Sequence, residues 1–354
     1  MTFTIRPAVR EKIGLLFGIA GASGSGKTFC ALTLAKGIAN GAGKIAVIDT
    51  EAGRALHYAP KPGIPIEDQP NAFEFLHLDF GPPFTPERYI EAIRACEEAG
   101  ATVIVIDSMS HEWNGEGGLS EMAEAAAIAA ATDAEGNVNL KRMEAMTGPS
   151  WKKPKIRHKR MMARLIQCRT HLIFCLRAEE KVKFQKTVNK RGFETTEIVP
   201  IGFQPICEKA FIFEMSGSLT LHPETIGEPR YDLPHKLNEE LRAVFPEGKR
   251  INADAGRRLR VWAETGNDSK PADKVSDGVR DLIERIQDAP NAHAIRAIDA
   301  EPSVQTQRKW LAKNRPDLAE KVTTAIRDAL AVFESLDDAP DGDLGVAGEG
   351  RMSA

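Results

Sequence analysis

The chain has 354 residues, 42% of them apolar and 27% charged, with a formal net charge of −3, which suits two domains or one large domain with an appendage. No run approaches the ~20 apolar residues of a bilayer span, and MTFTIRPAVREKIG has no apolar run after its charges, so neither a membrane segment nor a signal peptide is expected. Cys30, Cys96, Cys168, Cys175 and Cys207 form no C-x-x-C pair and the eight histidines are scattered, so reduced thiols, a cytoplasmic setting and no structural zinc are expected.

In chain order, residues 14–20 (GLLFGIA) read as a short buried strand. Residues 27–39 read as a helix with Leu32, Leu34 and Ile38 apolar, and residues 44–50 (KIAVIDT) as a second strand. A third strand is expected in 73–79, then a helix over 86–100 with Tyr89, Ile93 and Cys96 on one face. Residues 102–107 (TVIVID) form a β-branched strand ending on a carboxylate. An Ala-rich helix over 119–131, a helix over 161–169 and a buried strand over 171–176 (HLIFCL) follow. Strands that are apolar on both faces and alternate with helices predict a parallel α/β sheet covered by helices. Past Arg177, residues 194–200, 210–215 and 219–222 read as short strands, an antiparallel extension of that sheet. The expected first domain spans 1–264 and a polar linker 265–275. A small helical module is expected over 276–336, with Val279, Leu282, Ile283 and Ile286, then Trp310 and Leu311, then Leu318, Val322, Ile326 and Leu330. Trp310 is expected in its core, and the Asp- and Gly-rich tail 337–354 is expected to be disordered.

Gly21, Ala22, Ser23, Gly24, Ser25, Gly26, Lys27 and Thr28 fit G-x-x-x-x-G-K-[ST] between a predicted strand and a predicted helix. Backbone N–H groups of such a loop converge on phosphate oxygens, Lys27 reaches the β/γ-phosphates, and the Thr28 hydroxyl holds Mg²⁺. Asp107, at the end of TVIVID, is the second expected metal ligand. An acid is also needed to orient the attacking water. Ser108 follows Asp107, so the acid is not adjacent; Glu51, just past KIAVIDT, and Glu112 are the candidates, with Glu51 preferred because it ends a neighbouring strand.

Taken together, the P-loop, the strand ending IDTE, the strand ending VIDS and the apolar strand HLIFCL before Arg177 resemble the RecA-like ATPases. VIDSMSHEWNGEGG, MMARLIQCRTHLIFCLRAEE and PICEKAFIFEM bring the chain closer to phage and prophage ATPases of the Sak-type single-strand annealing group, over about residues 14–222. The resemblance implies a largely parallel sheet with an antiparallel extension, ATP and Mg²⁺ as cofactors, single-stranded DNA as partner, and self-assembly into rings or filaments. It also implies water activation by Glu51, a metal-holding Asp107, and a γ-phosphate-sensing position at Arg177, where RecA has Gln. Lys209 is a candidate for a finger acting in a neighbouring subunit. Single-strand-binding or replication proteins are further expected partners, in a bacterial host cytoplasm if the chain is phage-encoded.

The charge is uneven. Residues 151–194 hold fourteen Lys/Arg against three Glu, a net of +11, which leaves −14 for the rest. Such a bias points to a polyanion. Two loops are expected to carry it, flanking the strand before Arg177. One holds Lys152, Lys153, Lys155, Arg157, Lys159 and Arg160 beside Trp151; the other holds Lys181, Lys183, Lys186, Lys190 and Arg191 beside Phe184. Lys and Arg neutralise phosphates, and the aromatics supply faces for bases. A small-molecule kinase with a basic lid, and a nucleotide switch or helicase-loading partner, are the competing readings.

Overall fold

Runs of apolar and β-branched residues build the sheet at the centre of the first unit. The computed structural model describes residues 7–188, 194–266 and 274–337 and divides into two units, residues 1–269 and 270–354. In chain order the first unit holds β1 (Leu16–Gly21), α1 (Lys27–Ala39), β2 (Lys44–Asp49), β3 (Leu76–Asp79), α2 (Pro86–Glu98) and β4 (Ala101–Asp107). Then come α3 (Ser110–Asn114), α4 (Leu119–Ala131), α5 (Leu140–Ser150), α6 (Lys152–Gln167) and β5 (His171–Val188). The unit finishes with β6 (Glu194–Pro205), α7 (Lys209–Glu214), β7 (Gly217–Leu221), α8 (Glu239–Val244) and α9 (Ala253–Glu264).

The strand order is β3-β2-β4-β5-β1-β7, and every neighbouring pair in it is parallel. Among the described strands, β6 alone is antiparallel, paired with the outer half of β5. Strand period sorts the side chains into two cores. Phe17, Ile19, Val103, Val105 and Ile173 pack with Leu34 of α1 and Leu259 of α9 on one face. Leu16, Ile104, Ile106 and Phe174 pack with Tyr89 of α2, Met161 of α6 and Phe211 of α7 on the other. The fold is therefore the mainly parallel α/β sheet expected, flanked by helices.

Local departures have physical causes. Of the expected strand 210–215, residues 210–214 lie in the helix α7 and Met215 follows it: FIFEM is too short for period to separate helix from strand, and fully buried Phe211 together with the Glu208 side chain, which accepts from Ala210 N, favours the helical turn. Of the stretch 219–222, expected as an antiparallel strand, residues 219–221 lie within β7, which runs parallel to β1. The expected loop at 151–160 is the first half of α6, which starts nine residues earlier than its apolar stripe suggests. Nor does β5 stop at Leu176: it runs on to Val188, so Lys181, Lys183 and Lys186 sit on a two-stranded ribbon.

The second unit packs α10 (Lys274–Gln287), α11 (Ala292–Ala300), α12 (Pro302–Asn314) and α13 (Pro316–Asp337) around Val279, Leu282, Ile286, Ile295, Leu311 and Val322. Trp310 is not in that core; it is 48% exposed. Val304 and Leu311, seven residues apart, define the buried stripe of α12, and Trp310 lies about 100° around the helix from Leu311. Residues 267–273 of the expected linker and 338–354 of the expected tail lie outside the described residues. Among the described residues, no helix is long and apolar enough to cross a membrane.

Candidate functional site

The loop between β1 and α1 is built to leave N–H groups free. Gly24 and Gly26 adopt φ of 79° and 85°, a conformation open to glycine at little cost. Gly26 is the N-cap of α1, so no side chain caps the helix, and no acid lies in its first turn. The positive end of α1 and its unpaired amides therefore face the cavity. Within the loop, Ala22 O accepts from buried Ser25 Oγ at 2.9 Å and from Lys27 Nζ at 3.0 Å. Thr28 Oγ1 donates to Asp107 Oδ2 at 2.5 Å.

Sheet order places the other groups. The chain passes from β1 to β2, and β5 and β4 fill the space between them, which opens a crevice at the carboxyl ends of the strands. A cavity of about 980 Å³ occupies it, lined by Gly21, Ser23, Gly24, Gly26, Lys27 and Thr28 and also by Glu51, Asp107 and Arg177. Tyr58, Asn71 and Arg250 line it too. Sequence reasoning missed these three because Tyr58 ends a short 3-10 helix (Arg54–Tyr58) and Asn71 and Arg250 lie in loops, with no motif and no period.

Burial pushes the Asp107 carboxyl up to about 6, with the Glu51 and Asp49 charges adding to it and the Thr28 hydrogen bond and Lys27 opposing. A buried carboxylate beside a hydroxyl is an all-oxygen donor pair suited to a hard cation such as Mg²⁺, which keeps several waters and takes phosphate oxygens for the rest. Among the described residues, no group of three or more His, Cys, Asp or Glu could hold a metal ion.

Glu51 is held from both sides. Buried Asp49 shapes its loop by accepting from Glu51 N at 2.8 Å and Ala55 N at 2.9 Å. Arg177 Nε and Nη2 donate to Glu51 Oε1 at 2.9 and 2.7 Å, and Arg54 Nη1 donates to Oε2 at 3.1 Å. Burial raises the Glu51 carboxyl, but the hydrogen bonds and charges of Arg177 and Arg54 outweigh it and hold the group below its ordinary value. Arg177 itself sits opposite Gly21 in the β1–β5 register. Glu112, the other candidate, is 2% exposed, bonded to His158, and absent from the cavity lining.

The basic residues divide by environment. Lys152, Lys153, Lys155 and Lys159 are exposed on α6, and Arg160 is half-buried there. Arg157 makes a two-bond pair with Glu87 of α2 at 2.8 and 2.5 Å, so its guanidinium braces helix packing. Trp151 stacks on Trp113, ring centroids 4.9 Å apart. On the ribbon, Lys181, Lys183 and Lys186 are exposed and Phe184 is 67% exposed. Lys190 and Arg191 lie outside the described residues. Lys209 is exposed at the start of α7.

No curated protein matches the chain. Residues 14–201, more than half of it, match a family model described as an AAA domain. That span begins just before the phosphate loop and takes in Glu51, Asp107 and Arg177. With its glycine loop, the buried aspartate bonded to Thr28 and the cavity between them, the chain belongs to this family of AAA-type P-loop ATPases.

Proposed function

We propose that this protein is a RecA-like, Mg²⁺-dependent ATPase of phage type that acts on single-stranded DNA as a homo-oligomer, in recombination, annealing or replication. The observation that carries the DNA reading is the continuity of β5. One unbroken strand leads from Arg177, which holds Glu51, to the ribbon bearing Lys181, Lys183, Lys186 and exposed Phe184. A basic ribbon with an exposed ring suits a strand of phosphates and unpaired bases.

In this reading the P-loop amides and Lys27 bind the ATP phosphates, and Thr28 and Asp107 hold the Mg²⁺, which neutralises charge on the transferring phosphoryl group. Glu51 accepts a proton from the attacking water. While Arg177 and Arg54 occupy both its oxygens, Glu51 is a poor base, so turnover requires Arg177 to let go. DNA on the ribbon, acting on the same strand, favours that release.

Fluorescence anisotropy of labelled oligo(dT) with the full chain, in ATP and Mg²⁺ at two salt concentrations, tests the partner. Binding that weakens steeply with salt is expected. Absence of binding at low salt overturns the DNA reading and leaves the ATPase standing.

A further inference from the structure

Four consecutive side chains of the short helix α3, in the SHEW stretch just past Asp107, reach four different places. Ser110 Oγ accepts from the backbone N–H of Arg177 on β5 at 2.8 Å. His111 Nδ1 lies 2.7 Å from Oγ1 of Thr50, the residue before Glu51, and Thr50 Oγ1 in turn accepts from Ser108 N at 2.7 Å. Glu112 Oε1 lies 3.0 Å from His158 Nδ1 on α6. Trp113 stacks on Trp151, the residue before α6, with planes 19° apart. The first two contacts grip the middle of β5, which carries Arg177, and the turn after β2, which carries Glu51. The last two grip the basic helix.

The Glu112–His158 contact is an expensive way to pack two helices. Both residues are 2% exposed, and His158 Nε2 is buried without a partner. Burial raises the Glu112 carboxyl in spite of the His158 hydrogen bond. An apolar pair of similar volume would hold α3 to α6 at least as well. On its other side His158 borders a cavity of about 320 Å³ between α6 and α7, lined by Lys155, Met162, Ile166 and Glu214 among others. Beside this cavity α6 meets α7 through the Lys155–Glu208 ion pair at 3.7 Å and the His158–Phe211 ring contact, a less filled flank than the one where Met161 and Leu165 enter the core. A helix with unfilled space on one side has room to shift as a unit.

We propose that α3 couples the nucleotide cavity to α6: Ser110 and His111 follow β5 at Arg177 and the turn after β2 at the cavity, while Glu112 and Trp113 set the position of α6 and its lysines. Glu112 and His158 are then positioning residues, not catalytic ones. The inference rests on the nucleotide reading of the cavity and is independent of what the lysines bind.

Hydrogen exchange of the α6 amides in the full chain, with and without ATPγS and Mg²⁺, tests it, with nucleotide affinity measured separately on a fluorescent ATP analogue. In the wild type, nucleotide is expected to slow exchange along α6. Glu112→Gln and His158→Gln are expected to remove most of that difference while nucleotide Kd stays within about twofold. Trp151→Leu, which takes away the stack without touching the buried pair, is expected to reduce the response and guards against misfolding of the other two. Nucleotide binding with no change in α6 exchange, or an unchanged response in Glu112→Gln, overturns the coupling alone. A wild-type chain that binds no nucleotide overturns the cavity reading and the coupling together.

Discussion

Glu51 and Asp107 line one cavity, yet their surroundings push them in opposite directions. Asp107 is raised to about 6 by burial, and Glu51 is lowered by two arginines despite its own burial. In the proposed function, the group assigned to the cation sits where extra positive charge would relieve it, and the group assigned to take a proton is restrained until an arginine leaves. Glu51→Gln is therefore expected to cut ATP turnover by about 10²–10⁴-fold with nucleotide binding retained, and wild-type turnover in that variant would contradict the assignment. The same geometry has a stability signature. Because the folded-state pKa of Glu51 lies below its ordinary 4.5, the Glu51–Arg177 pair stabilises the fold above that value and loses its contribution as pH falls through the folded pKa. Urea midpoints of wild type and Glu51→Gln should differ at neutral pH and converge in acid. Asp107 and Glu51 were both legible in the sequence because each ends or follows an apolar strand. The contacts between Glu51 and Arg177, 126 positions apart, were not, since only the insertion of β5 between β1 and β4 brings them together.

At the scale of elements, β5 is the part whose extent changes the reading. Its apolar half, HLIFCL, was visible as a buried strand. Its basic half read as a loop, because Lys-rich, solvent-exposed ribbon lacks the buried pattern that marks a strand. The ribbon sets Lys181, Lys183 and Lys186 on a defined scaffold, whereas α6 commits Arg157 to Glu87 and stacks Trp151 on Trp113. The ribbon is thus the better candidate for phosphate contact. Replacing its three lysines by Ala should weaken oligo(dT) binding similarly across sequences and lower the salt-dependence slope by about one for each lysine. An unchanged slope would place the DNA contacts elsewhere. The sequence read α1, α2 and α4 well because their apolar spacing is regular. It missed α7, whose six residues form a single turn and a half, and α9, whose apolar face packs against α1 and α8.

Across the whole molecule, the parallel sheet with its phosphate loop at the carboxyl edge was legible in the sequence from β1 to β5, and the AAA-domain match covers those strands, whereas β7 lies past it. The second unit lies beyond the matched residues. Its helices follow the apolar spacing of 276–336, but exposed Trp310 shows that an aromatic at helical spacing does not by itself face the core. What joins the ATPase half to its proposed partner is a strand, β5, that passes between the ends of β1 and β4 carrying the P-loop and Asp107 and runs on into the ribbon. The most direct test of that link is steady-state ATP turnover by the full chain, titrated with single-stranded oligo(dT) at low salt. Turnover should rise with DNA and saturate as Arg177 is drawn from Glu51. Turnover that stays flat while the chain demonstrably binds the oligonucleotide would contradict the account.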